Sequence, residues 1–258
     1  MKKLLFLFII PCFAFSQDLS LIEQVEVDAD VFIGIDNYNH TYFIKNQALY
    51  KSTDSENFYF QDFQLGIIFS VDIINPLKIV VYYADFNTVI ILDNTLNEIE
   101  RINFNEIEGF ENIQTATLAT NNSLWIFNTN TQQLELYNYR FKRNTIVSQP
   151  IEGTVLFQNS NFNYCLLVTE DTIRKYNIYG SLINETENNG VSKIYPYKDT
   201  FITLNDSVLY FFSEKGSEEL VIPTELSKNT IKELHIIHDF LYIYDGKFLY
   251  KFRLNLTN

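Results

Sequence analysis

Three histidines, a cysteine in an apolar run and a regularly spaced set of aspartates are the side chains whose types could carry chemistry here. His235 and His238 stand in HIIH. On a helix that spacing would put two imidazoles on one face, as a metal site or an acid–base pair needs. The surrounding IKELHII is a strand pattern, and in a strand positions three apart point to opposite faces, so the pair is read as structural. His40 ends DNYNH (36–40), which starts like a calcium loop but lacks its Gly and distal Glu. Cys165 lies in the strand-like NYCLLVTED. A nucleophilic thiol needs a base and some exposure, so a buried, inert thiol is expected. There is no nucleophile elbow, HExxH or phosphate loop. No catalytic residue, metal or cofactor is therefore assigned.

One pattern remains. Asn46, Asp85, Asn130, Asp171, Asp206 and Asp245 fall at equivalent places between strand-like runs. Asp and Asn are ordinary turn residues. The four carboxylates Asp85, Asp171, Asp206 and Asp245 would nevertheless share one rim, which could attract a cation or a basic protein surface.

The elements that place those turns are strands. Helical periodicity is nearly absent, and ELSKNT (225–230) is the one segment read as a helical turn. Short runs rich in Ile, Val, Leu, Tyr and Phe alternate with Asn, Asp, Ser, Thr and Gly. Six hairpins recur: TYFIKN–QALYKS, KIVVYYADFN–TVIILD, SLWIFN–QQLELYN, NYCLLVTED–TIRKYN, FITLND–SVLYFFS and FLYIYDG–KFLYKFR. Their second strands end at Ser52, Asp93, Asn138, Asn177, Ser213 and Arg253, a period of about 40 residues that suits propeller blades of four strands. Inner strands are expected at 31–36, 69–74, 113–119, 154–159, 191–196 and 231–237. Outer strands are expected at 57–62, 98–104, 145–150, 182–187 and 218–223. The sixth unit lacks an outer strand, and SLIEQVEV (20–27) is left over. Paired beside the C-terminal strand, it would close the ring and remove the open edges. The predicted fold is all-β, a six-bladed propeller of four-stranded antiparallel blades over 18–258.

Trp125, the single tryptophan, falls on a middle strand. Its counterparts Phe43, Val80, Leu166, Ile202 and Tyr242 are all apolar, so it is expected in the packing between blades rather than in a ligand pocket. The strand SLWIFN followed by QQLELYNY resembles exported bacterial propellers of the two-component-regulator type. That resemblance implies the propeller fold and a sensing or scaffold role.

Residues 1–17, MKKLLFLFIIPCFAFSQ, have a basic start, an apolar run and small residues at Ala14 and Ser16, the pattern of an export signal cut near Gln17. The run is too short to span a bilayer. Pro11 before Cys12 argues against a lipoprotein cysteine. Removing 1–17 takes the net charge from −13 to −15, because only Lys2 and Lys3 leave. Such a surface repels phosphate backbones and anionic lipid, which speaks against nucleic-acid partners. The sequence thus leads to an exported, monomeric, non-catalytic binding or scaffold domain of the periplasm or cell surface, with a protein partner. A carbohydrate-binding protein or an enzyme acting at the central channel is the alternative.

Overall fold

A computed structural model describes residues 19–258 apart from 108, 110, 121, 192, 206–207, 214–215, 223–225, 227–230, 255 and 257–258. Residues 1–17, read as an export signal, Asp206 and most of the segment read as a helical turn lie outside the described residues. The described strands form six four-stranded antiparallel sheets. Blade one is β2 (Val31–Ile35), β3 (Thr41–Lys45), β4 (Ala48–Ser52) and β5 (Asn57–Phe60); β1 (Ser20–Glu26) precedes it. Blade two is β6 (Ser70–Asp72), β7 (Ile79–Tyr83), β8 (Thr88–Leu92) and β9 (Glu98–Asn103). Blade three is β10 (Ile113–Leu118), β11 (Ser123–Asn128), β12 (Gln133–Asn138) and β13 (Arg143–Ile146). Blade four is β14 (Val155–Ser160), β15 (Tyr164–Thr169), β16 (Thr172–Asn177) and β17 (Leu182–Glu187). Blade five is β18 (Lys193–Tyr197), β19 (Thr200–Asn205), β20 (Val208–Ser213) and β21 (Gly216–Leu220). Blade six has β22 (Glu233–Ile237), β23 (Phe240–Tyr244) and β24 (Phe248–Arg253), completed by β1. The predicted propeller and its closure are both present, with Ser20 opposite Arg253 and Glu26 opposite Phe248.

The middle strands are apolar because both of their faces are covered. β7, β8, β11 and β15 are buried along their whole length. Apolar packing is divided into six clusters, one between each pair of neighbouring blades. Trp125 is 2% exposed and packs with Phe127, Leu134, Cys165 and Leu167 between blades three and four. Its assignment to blade packing holds. Cys165 is buried and free, and burial pushes its thiol well above the ordinary range, so the inert reading also holds.

The outer strands of blades one and two end slightly early, at Phe60 and Asn103, and two others are shifted. That of blade three is 143–146, not 145–150. The N–H groups of Val147 and Ser148 both turn onto the Leu134 carbonyl, and the Ser148 hydroxyl caps the Leu134 N–H, so the chain leaves the sheet before Pro150. That of blade five begins at Gly216 and ends at Leu220 rather than running 218–223.

The closing junction, between blades six and one, rests on few apolar residues: Phe32 and Ile35 against Tyr242, Tyr244 and Leu249. Polar links supplement it. His235 donates through Nε2 to the Ile35 carbonyl at 2.8 Å, and the Tyr244 hydroxyl donates to the Ala29 carbonyl at 2.8 Å. The imidazole lies directly on Gly34, where an added Cβ would stand 2.4 Å from Nδ1. Gly34→Ala is expected to cost about 1–3 kcal/mol through this overlap. In urea unfolding, Gly34→Ala with His235→Ala should cost clearly less than the two single losses added together. Simple additivity would show that the contact does not set the cost.

Candidate functional site

The six innermost strands surround a cavity of about 550 Å³ that reaches the turn residues Asn37, Phe162 and His238. Propeller topology puts the turns between first and second strands at one end of this channel. The turns between second and third strands, and the loops between blades, stand at the other end. Inner strands are less apolar than middle ones because one edge of each meets the channel. Their polar side chains tie the ring together. Asp72 of blade two accepts from the Leu118 N–H of blade three at 2.7 Å. Gln114 of blade three donates to the Val155 carbonyl at 2.7 Å. Gln158 of blade four accepts from Thr115 and donates to Thr117 and to the Trp125 carbonyl. Asn159 donates to the Ile194 carbonyl of blade five at 3.2 Å.

Asp36, Asp72 and His235 of the wall are engaged in the same framework. Asp36, 3% exposed, accepts from the N–H groups of Tyr38 and His40 and from the Tyr42 hydroxyl, and pairs with His40 Nδ1 at 3.0 Å. Asp72 accepts from Ile74 and Leu118 N–H groups; burial raises its carboxyl to about 6 against those bonds. Burial lowers His235 to about 4, so at neutral pH it is an uncharged donor to Ile35. His238 is not on the inner strand: it follows β22 in a left-handed turn, φ 51°. His235 and His238 thus make no pair. Among the described residues no group of three metal-ligating His, Cys, Asp or Glu side chains occurs.

The predicted turn carboxylates are arranged as follows. Asp85, Asp171 and Asp245 fall in the second-to-third strand turns of blades two, four and six; Asp206 lies outside the described residues. They share a face but sit on alternate blades, so they do not form one cluster. Asp85 and Asp171 are exposed. Asp245 is half-buried and occupied: it accepts from the Lys247 and Phe248 N–H groups and the Tyr250 hydroxyl, and these bonds hold its carboxyl below the usual range against the upward push of burial. Sequence spacing missed what surrounds Asp171. The loop before β14 runs beside its turn, with the Glu170 N–H donating to the Thr154 carbonyl at 3.1 Å. Glu152, Glu170, Asp171 and Glu187 are all exposed there, with no Lys or Arg ion pair among the described residues. The opposite face carries Lys78, Arg140, Lys142 and Lys198 among its acidic groups, and there Lys198 pairs with Asp239.

A second feature was also not legible. Glu111, from the loop before β10, and Glu135, 2% exposed on β12, are joined through the Asn144 side-chain amide. Glu135 also accepts from Asn128 at 3.1 Å and Thr131 at 3.2 Å. One buried oxygen of Glu111 has no partner among the described residues. Burial, and then the charge of Glu135, raise the Glu111 carboxyl to about 7.

No family model matches the chain, and no curated protein matches its sequence. Solved structures do match. A streptogramin B lyase structure superposes with a TM-score of 0.61 at 11% identity, over 91% of this chain and 88% of the other. A catalytically inactive virginiamycin B lyase from Staphylococcus aureus, with quinupristin, gives 0.60 at 9% identity, over 91% and 89%. PorZ, a bacterial surface component of the type-IX secretion system of Porphyromonas gingivalis, gives 0.52 at 12% identity over 90% of this chain and 38% of its own. At such identities the likeness is one of fold. Propellers of this shape serve as enzymes and as scaffolds alike.

The Glu111 pair gives a signed expectation. A carboxyl raised from 4.5 to about 7 binds its proton more tightly when folded, so its contribution to stability is full below about 4.5 and is lost as pH rises to 7. Glu111→Gln should flatten the fall in melting temperature over that window. An unchanged pH profile would show that the carboxyl ionises normally.

Proposed function

We propose that this chain is a non-catalytic binding module of the cell envelope whose loop face holds a basic surface of a protein partner. One observation carries the reading: Glu152, Glu170, Asp171 and Glu187 stand exposed together without a basic ion-pair partner among the described residues. Like charges set side by side cost stability, so such a patch is more readily understood as a surface that meets cations from outside. Asp85 and Asp245, in the equivalent turns of blades two and six, extend the same sign of charge over the rest of that face. The rigid, closed ring suits the role, because it presents its loops without reordering them on binding. The export-signal pattern of residues 1–17 and the resemblance of SLWIFN–QQLELYNY to exported propellers support a location outside the cytoplasm, with the chain working as a monomer. No described helix is long and apolar enough to cross a membrane.

Two measurements test this. N-terminal sequencing of envelope material should start at or near Gln17 or Asp18; an uncut Met1 in the cytoplasm, or acylation at Cys12, would remove the export reading. For the face, the variant Asp85→Asn, Glu152→Gln, Glu170→Gln, Asp171→Asn should lose partners that the parent captures from envelope extract at low salt. Each exposed pair is worth roughly 0.2–1 kcal/mol, so the combined loss falls mainly on association rate and shrinks as salt is added. Identical partners at low salt for parent and variant would discard the acidic face.

A further inference from the structure

The channel carries a different chemistry from the acidic rim. Phe69 and Leu156, at the starts of their innermost strands, line it toward the loop end and Phe162 lines it at the opposite mouth, yet they are 60%, 44% and 55% exposed. Leu156 lies on an innermost strand, where such exposure means that the side chain projects into open channel. Beside these apolar groups stand amides with bonding capacity left over. Gln114 uses one N–H on Val155 and keeps its carbonyl, and Asn159 uses one N–H on Ile194 and keeps its carbonyl and second N–H. Asn37 at the mouth is exposed, with its side chain unbonded among the described residues.

No Lys or Arg is among the lining residues, and the two carboxylates, Asp36 and Asp72, are taken up by internal bonds. An anion would face Asp72 across a low-dielectric wall with no compensating cation. A cation would have to draw carboxylates away from bonds that hold the blades. A purely apolar guest would cover the amides and leave them unpaired, at the cost of their desolvation. The occupant that satisfies every group has flat C–H faces for Phe69, Leu156 and Phe162 and many uncharged hydroxyls for the amides. A cavity of about 550 Å³ is of ordinary small-molecule size. We propose that the channel is a binding site for a short neutral oligosaccharide, or the end of a longer neutral glycan. An uncharged guest needs none of the carboxylates of the acidic loop face, although Leu156 stands near them.

Isothermal titration of the whole mature chain with maltotriose, cellotriose and chitotriose tests this, with trigalacturonate as the anionic arm. At least one neutral trisaccharide should bind with a Kd on the order of millimolar or tighter, and trigalacturonate should bind at least tenfold more weakly. Leu156→Trp fills the channel and should weaken binding at least tenfold. Asn37→Ala, at an exposed turn where the side chain makes no hydrogen bond among the described residues, should weaken it severalfold and stands in if the first variant fails to fold. The four-residue acidic-face variant should bind the sugar as the parent does, which separates this site from the protein-binding face. No heat with any neutral trisaccharide, preference for trigalacturonate, or full affinity in Asn37→Ala and any folded Leu156→Trp would overturn the proposal.

Discussion

Closure of the ring is the constraint from which the rest follows. Each blade has two apolar faces, and each face is covered only by the neighbouring blade. A blade without neighbours would expose strands such as β7 and β15, which are buried along their length. Closure is therefore needed to finish the core as well as to hide edges. It is made by β1 alongside β24, far apart in sequence and in continuous register except for one irregularity at Leu21–Glu23. The junction it seals is small, and it substitutes specific fit for apolar area. His235, neutral and buried, fills the space left by the missing side chain of Gly34 and holds the Ile35 carbonyl. The histidine that looks most like chemistry in the sequence is thereby a structural clasp.

The same constraint limits where function can reside. Side chains between blades are committed to packing, and many polar ones are committed to crossing from blade to blade. Lys51, 3% exposed, donates to the Asn94 carbonyl between blades one and two, and Lys193 pairs with Glu233 between five and six. A buried donor such as Lys51 must stay satisfied, since an orphaned one costs more than a made bond gains. What is left free is the channel and the two rims of turns.

The propeller was legible because it is written locally and repeated. Alternation, turn residues and a period of about 40 residues each recur six times, so an error in one unit is corrected by the others. The spare strand at 20–27 followed from counting. Outer-strand ends were less legible, since those strands are exposed and lack a strong apolar pattern: β13 is exposed at every position. In blade three a Ser148 side chain, not a change of composition, decides where pairing stops. The turn aspartates were found by spacing, but spacing along the chain said nothing about loops that fold beside them, so Glu152 and Glu170 went unseen. The Glu111–Glu135 pair was hidden for the same reason. The channel did leave a trace. IQTATLA and TVLFQN carry Gln, Thr and Asn where the middle strands carry Val, Ile and Leu, and that polarity marks strands with one edge toward water.

The acidic net charge alone does not identify a site, because carboxylates here do two unlike jobs. Asp36, Asp72 and Asp245 accept several N–H or O–H groups each and act as parts of the framework, a role that needs a fixed acceptor rather than a free charge. Asp85, Glu152, Glu170 and Asp171 have no such duty in the described fold and remain exposed. Removing a charge from the first group would release donors inside a tightly packed ring; removing one from the second changes only the field in front of the loops. Screening by salt acts on the second group and hardly on the first, because buried bonds are shielded from counterions. What distinguishes a carboxylate available to a partner is thus the absence of internal donors, not its place in the repeat. On that criterion the outward charge of this propeller is concentrated beside blade four.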